Sequence, residues 1–425
     1  MKRAAAESLD THSNQYPPMT GVPELRAAVA RHAARHSGQQ VSADGGGVLV
    51  TSGATEGIAA ALLGLCNRGD RVVVFEPLYD AYAGIAATAG VELAPVRLRP
   101  PTWALPPPPL SDVAEDATDA ELDAAAEAEA EAAMEWAMSG KEEDDADERW
   151  ELARAFFPPA PKRPAKLVIL NTPHNPTGKV FTRAELARIA ALTKRANALA
   201  LLDEVYEHLT YEADGHRSLA TAVPGMAARC VRLGSAGKTF SFTGWKVGWA
   251  TGPAKLLAPM VKCHQFLTFT TASAMQYGVA HGLEHCRDFY LGLGGELAAA
   301  RASFAPRVAA LGFRVLPAQA TYFLVADATA FVAPGEDDAA FCRRLAAEGG
   351  VALIPVSAFY LPEGRVMPPR TLVRFAFCKS ASVLDAAIER LEKYLGRPGA
   401  RGPGARGDAA FGERAAREQA GGSAA

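Results

Sequence analysis

Short apolar runs rich in valine, leucine and isoleucine alternate with longer helical patterns over much of this chain. "GVLVTSG", "RVVVFEP", "KLVILNTP", "ALALLDEVY" and "CVRLGSAGK" each read as a β-strand that stops at polar or Gly/Pro residues. Helical stretches such as "TRAELARIAALTKRA" lie between them, and there Thr182 and Glu185 have the spacing of a capping box. Near-continuous apolar strands alternating with helices predict a mostly parallel sheet covered on both faces. In such sheets ligands bind beyond the carboxyl ends of the strands, where the polar motifs of this chain fall. From about Cys286 the strands become sparser ("TYFLVAD", "VALIPV", "TLVRFAF"), which predicts a smaller α+β domain.

The resulting plan has an N-terminal segment over 1–37, a large α/β domain over 38–285 and a small domain over 286–395. Two segments break the pattern. Residues 101–164 open with "PPTWALPPPP", pass through Ala/Glu/Asp-rich sequence and end in "FFPPAPKRP". The middle has helical propensity, but its apolar residues are mostly alanine, so an exposed acidic insertion of low order is expected. It joins the strands near Val96 and Leu167 and is expected to loop out, leaving the sheet intact. Residues 396–425 are Gly/Arg/Ala-rich and predict a disordered tail.

Composition sharpens this picture in two respects. The 425 residues are 49% hydrophobic, enough for a sizeable core. Residues 111–149 hold sixteen acids and two bases, a net charge of −14, which leaves +11 on the remainder of a chain whose total is −3. The body is therefore mildly basic and suited to small anions, with no basic run dense enough for nucleic acid. No apolar run reaches the roughly 20 residues of a membrane helix. The six cysteines are scattered without metal-ligand spacing, so free thiols in a reducing compartment are expected, the cytoplasm foremost and an organelle as the alternative.

The chemistry concentrates at the strand ends. "TSGATEG" places small residues ahead of a helix whose first free N–H groups make an anion site. Tyr79 follows the strand "RVVVFE", where an aromatic either packs or stacks on a planar ligand. In "NTPHNPTG", Asn175 precedes a proline and can present its amide to a ligand. Asp203 ends the run "ALALL", as a helix N-cap or as a carboxylate that needs a partner; Tyr206 follows. "SAGKTFSFTGWKVGW" keeps Lys238 and Lys246 within apolar sequence, which is costly unless each ammonium snorkels, is neutralised or is paired. Together these residues suggest a planar, phosphorylated cofactor with a cationic ring nitrogen, held covalently by a lysine. That is the description of pyridoxal 5′-phosphate.

"NTPHNPTGKVF", "DEVYEHL", "GSAGKTFSFTGWKVGW" and "VRFAFCK" resemble the class I/II aminotransferases of fold type I, in particular the kynurenine, methionine and aromatic branch. The resemblance covers about residues 9–100 and 150–393. It implies a large domain with a mostly parallel seven-stranded sheet flanked by helices, a smaller α+β domain, and a homodimer with shared active sites. By this resemblance Lys238 carries pyridoxal 5′-phosphate as an aldimine and shuttles the proton, and Asp203 pairs with the ring nitrogen. Asn175 and Tyr206 hold the ring oxygen, and Tyr79 stacks on the ring face. The N–H groups of Ala54 and Thr55, with Ser235 and Lys246, hold the phosphate. Arg374 grips the substrate carboxylate, and Asn175 also faces the substrate. Tyr16 crosses to the partner's phosphate, and Phe269 lines the neighbouring substrate pocket. The expected reaction moves an amino group from an aromatic amino acid, methionine or kynurenine to a 2-oxo acid.

Two departures from the resemblance stand out. Its members carry some tens of residues ahead of the position of Leu9, including a glycine-containing segment that closes over substrate; relative to them the N-terminal segment reads as truncated. The acidic insertion replaces a short connection. Two further readings follow: a β-lyase acting on cysteine S-conjugates with the same site, and a binding or regulatory homologue with impaired catalysis.

Overall fold

The computed structural model describes residues 1–12, 14–108, 117–138, 148–158, 163–212, 215–362 and 367–396. The expected disordered tail, apart from its first residue, Gly396, lies outside the described residues. Two compact units emerge: Met1–Glu296 with Gln319–Thr321, and Leu297–Ala318 with the chain from Tyr322 onward. The division falls inside a helix at Glu296/Leu297.

In the first unit the strands are β1 (Val48–Thr51), β2 (Arg71–Glu76), β3 (Glu92–Arg97), β4 (Leu167–Asn171), β5 (Leu199–Asp203), β6 (Cys230–Ser235) and β7 (Gly248–Thr251). The helices before the insertion are α1 (Lys2–Thr11), α2 (Pro23–Ser37), α3 (Ala54–Leu65) and α4 (Ala81–Ala89). Then come α5 (Asp119–Met138), α6 (Glu151–Phe156), α7 (Arg183–Arg195), α8 (Leu219–Ala222), α9 (Ala236–Thr239), α10 (Ala254–Leu267) and α11 (Ser273–His285). The sheet order is β1-β7-β6-β5-β4-β2-β3, with β7 alone antiparallel to its neighbours. The five strands expected from apolar runs in this unit are all present. The weaker β3 and β7 complete the sheet: β3 alternates exposed and buried residues as an edge strand, and β7 has only four residues. β4 and β7 are buried along their whole length, as a sheet covered on both faces requires.

Parallel registry sets the site. Thr51 and Ser235 both pair with Gly248, and Asp203 pairs with Asn171 on one side and Leu233 on the other. The carboxyl ends of β1, β6, β5 and β4 therefore lie along one edge. α7 starts at the expected capping box, with the Thr182 hydroxyl accepting from the Glu185 amide and the Glu185 carboxylate accepting from the Thr182 amide.

The described middle of the acidic insertion overturns the expectation of low order; its residues 109–116, 139–147 and 159–162 lie outside the described residues. Its middle is the 20-residue helix α5, packed on α7. Ala126, Ala130 and Ala133, spaced i, i+4, i+7, are buried and bring the two helices close. Glu129, 3% exposed, accepts a forked pair of hydrogen bonds from Arg188 at 2.7 and 2.9 Å. Arg183 reaches Asp123 at 2.8 Å, Lys194 reaches Glu127 and Arg195 reaches Glu131. The low-order expectation counted apolar area alone; charge complementarity with a basic face 60 residues downstream supplies the rest. Glu129→Ala is expected to cost on the order of 1–3 kcal/mol, because it strands a part-buried guanidinium. Faster proteolysis within 119–138, with Arg188→Met restoring part of the protection, is the corresponding measurement. The other half of the expectation stands: β2 pairs directly with β4, so the insertion leaves the sheet unbroken.

The second unit contains the antiparallel sheet β10-β11-β9-β8, built from β8 (Arg314–Val315), β9 (Phe323–Asp327), β10 (Ile354–Pro355) and β11 (Leu372–Ala376). Phe313, Phe331, Phe341 and Phe375 form its aromatic core, with Phe313 4.6 Å from Phe331 and 5.4 Å from Phe375 between ring centroids.

Candidate active site

Five chain segments leave the carboxyl edge of the large sheet, and each brings a polar group. β1 ends at Thr51, and Gly53, with φ +79°, turns the chain into α3 at Ala54. The first N–H groups of a helix have no partner within it, so Ala54 and Thr55 present donors at this edge. The Glu56 carboxylate accepts from the Ser52 amide, and His264 lies 3.0 Å from Glu56, fixing the turn. Space here is tight: a Cβ at Gly248 would come within 2.8 Å of the Ala54 nitrogen. Lys246, exposed and with φ +52°, lies against Gly53, its Nζ 3.4 Å from where a Cβ would sit. The backbone donors, Lys246 and Ser235, which pairs with Gly248 beside them, thus fall at one corner of the sheet edge.

Asp203 is 4% exposed. Its Oδ2 accepts from the Tyr82 hydroxyl at 2.5 Å, while its Oδ1 is buried with no hydrogen-bond partner. Burial pushes its carboxyl above the usual carboxylate range, against the opposing Tyr82 hydroxyl, the Val205 amide and the charge of Lys238. No helix begins at Asp203; a turn follows it, so the N-cap alternative is corrected. A buried carboxylate oxygen without a donor is costly, and it fits a ring N–H⁺ arriving with a ligand.

Asn171, at the end of β4, ties this edge together: its amide donates to the Asp203 carbonyl at 2.8 Å and its Oδ1 accepts from the Asn175 backbone at 2.8 Å. Asn175 is thereby fixed beside β5, 8% exposed. His174 beside it is pushed down to about 3 by burial, with the Lys179 charge adding to the effect. It therefore stays neutral and structural, 2.8 Å from the Thr177 hydroxyl. Tyr206 is buried in the turn after β5, and the half-buried Lys238 in α9 stands with Nζ 5.7 Å from the centre of its ring. Tyr79 is half-buried and edge-on to Tyr82, with ring centroids 5.7 Å apart.

The first unit thus brings together Ala54, Thr55, Tyr79, Asn175, Asp203, Tyr206, Ser235, Lys238 and Lys246. Tyr16 and Phe269, also in this unit, pack edge-on at 6.1 Å, with Tyr16 85% exposed. Arg374 belongs to the second unit, in β11, its guanidinium carbon 4.1 Å from the centre of the Phe323 ring and 4.7 Å from that of Phe359. Sequence reasoning missed Tyr82 and Asn171. Tyr82 stood three residues after Tyr79 in the same strand-end segment, and α4, which begins at Ala81, aims it at Asp203.

Comparison with known proteins agrees with this fold. The family described as aminotransferase class I and II matches residues 1–391. A probable N-succinyldiaminopimelate aminotransferase of Mycobacterium tuberculosis is 37% identical over 94% of this chain and 89% of its own length. The solved structure of the N-succinyldiaminopimelate aminotransferase of that organism superposes with a TM-score of 0.74, covering 92% of this chain and 88% of the other. Escherichia coli methionine aminotransferase is 33% identical over 90% of this chain and 84% of its own; its structure gives a TM-score of 0.73, with 92% and 89% covered. Mouse kynurenine–oxoglutarate transaminase 1 is 31% identical over 91% and 86%. The chain belongs to the class I and II aminotransferases, with their fold type I architecture, and is a transaminase.

Proposed function

We propose that this transaminase works with pyridoxal 5′-phosphate, takes its amino group from methionine, kynurenine or an aromatic amino acid, and passes it to a 2-oxo acid. The observation that carries the cofactor is the buried, unpartnered Oδ1 of Asp203 on the same sheet edge as Lys238. When bound, pyridoxal 5′-phosphate supplies an aldehyde and an electron-withdrawing ring. Lys238 holds it covalently, Asp203 faces the ring nitrogen, Asn175 and Tyr206 the ring oxygen, and Tyr79 the ring face. The N–H groups of Ala54 and Thr55, with Ser235 and Lys246, bind the phosphate. Lys238 Nζ carries the proton at the substrate's α-carbon. Arg374 binds the α-carboxylate by its planar fork, which the rings of Phe323 and Phe359 hold in place.

A second donor, N-succinyldiaminopimelate, is favoured by the relative at 37% identity. A homodimer is part of the reading: Leu9, Tyr16, Phe266 and Phe269 leave apolar surface exposed on the first unit, with Phe266 86% exposed. Tyr16 would then reach the partner's phosphate, and Phe269 the partner's substrate.

The test is the visible spectrum of the purified, cofactor-loaded protein. Methionine, kynurenine or phenylalanine should bleach the yellow band, and a 2-oxo acid should restore it. Bleaching by N-succinyl-LL-diaminopimelate alone would move the donor to the second reading. Release of pyruvate and ammonia from a cysteine S-conjugate, without amino transfer, would replace the reaction by elimination. A protein that binds no pyridoxal 5′-phosphate would sink the proposal.

A further inference from the structure

Away from the strand-end site, a cluster of imidazoles and carboxylates is buried between α2 and the turn after β5. His32 and Glu207 are 3% and 4% exposed, and His208 is 6% exposed. The three ligand-type atoms face one another. His32 Nε2 is 3.3 Å from Glu207 Oε1, His208 Nε2 is 3.3 Å from His32 Nε2, and His208 Nε2 is 3.9 Å from Glu207 Oε1. Zinc bonds to nitrogen and oxygen are about 2.0–2.2 Å, which puts tetrahedral ligand atoms roughly 3.3–3.6 Å apart. Two of the three separations meet that spacing and the third is slightly wider, so an ion fits with little movement.

The surroundings add three points. Glu207 uses its other oxygen, Oε2, to accept from Arg232 at 3.0 Å, which orients the carboxylate and leaves Oε1 toward the histidines. Charge is unbalanced: Glu204 and Glu207 are buried with one guanidinium, Arg232, leaving one negative charge unless a histidine is protonated or a cation is present. There is also a way in. A cleft of about 180 Å³ lined by His36, Ser37 and His216 opens beside the cluster, and the His36 ring lies tilted with its centre 4.2 Å from that of His208, its Nε2 3.8 Å from Glu207 Oε2.

We propose that His32, Glu207 and His208 form a zinc-binding site, with His36 at its mouth placed to complete the coordination or to hand the ion in. Two imidazoles and one carboxylate with an open fourth position are a donor set that suits Zn²⁺ and excludes Mg²⁺ and Ca²⁺, which take oxygen ligands. The site joins α2 to the segment that carries Asp203 and Tyr206, so the ion would brace that segment.

The experiment uses the full chain, stripped by a chelator, with its thiols alkylated, then equilibrated with ZnCl₂ or MgCl₂ and desalted. One zinc per chain is expected by elemental analysis, none with magnesium, and a rise in thermal midpoint with zinc alone. Co²⁺ should give the intense visible absorption of a four-coordinate site. His32→Gln and His208→Gln, checked for fold by circular dichroism, should each weaken zinc retention at least 10-fold. Absence of retained zinc in the wild-type protein would overturn the proposal and leave a proton as the balancing charge. So would zinc retained equally in both variants, or a pale six-coordinate Co²⁺ spectrum. Each readout is independent of transamination, so failure here leaves the reading of the strand-end site untouched.

Discussion

Lys238→Ala is expected to fold normally and to lose at least ~10²–10⁴-fold in kcat, the range over which one positioned acid–base group acts. The reason lies in where Lys238 sits. It follows Ser235 at the end of β6, in the four-residue helix α9, where the sheet register sets β6 beside β5 and Asp203. Its charge is felt by Asp203, and its Nζ stands over the Tyr206 ring. A side chain so placed is difficult to replace from solvent, and Lys246, eight residues on, is exposed and lies against Gly53. The fold should survive because Lys238 is only half-buried and its loss opens no core cavity. Two readouts separate chemistry from structure. The variant should lose the yellow colour of lysine-bound cofactor, and small exogenous amines should restore part of the rate. A variant that keeps wild-type turnover would remove Lys238 from the mechanism.

Arg232→Ala is expected to be the most damaging substitution for stability outside the hydrophobic core. Arg232, 5% exposed, donates to Glu204 at 2.5 Å, to Glu207 at 3.0 Å and to the Ser37 hydroxyl at 2.6 Å. Without it two carboxylates stay buried and uncompensated, a loss of about 3–5 kcal/mol. Arg232→Lys should recover only part, because one ammonium cannot reproduce a fork reaching two acids. The pH dependence has a definite sign. Burial opposes ionisation of Glu207, yet its hydrogen bond with His32 and the charge of Arg232 hold it well below the usual range; Glu204 is lowered despite burial, chiefly by Arg232. A depressed carboxylate contributes stability above its unfolded value, lost as pH falls through the folded one. The deficit of Arg232→Ala should therefore be full at neutral pH and shrink on acidification, as both carboxylates protonate in the variant. Urea unfolding from pH 4 to 8 measures this, and a deficit that stays constant across the range would refute the electrostatic explanation.

The two sites differed in how legible they were. The strand-end site was readable because parallel strands put their carboxyl ends on one edge, so the motif residues after β1, β2, β4, β5 and β6 had to converge once the strands were recognised. The histidine cluster had no such signal. His32 and His208 are 176 residues apart, and nothing local distinguishes either from an ordinary core histidine. The acidic helix failed for the same reason: α5 looks solvent-bound alone, and only the basic face of α7, beginning 60 residues after Asp123 at Arg183, gives its carboxylates a buried use.

Local sequence was enough for the alternating α/β plan, the capping box of α7, the strands that form most of the sheet, and the identity of the polar groups at their ends. These follow from local periodicity and short-range hydrogen bonding, which neighbouring residues suffice to specify. Long-range packing, in contrast, makes Tyr82 the partner of Asp203, leaves one oxygen of that carboxylate over, docks α5 on α7, and gathers three histidines around Glu207. Those outcomes depend on pairing between distant segments. Such pairing is set by sheet register and charge complementarity across the fold, and no stretch of the chain carries it alone.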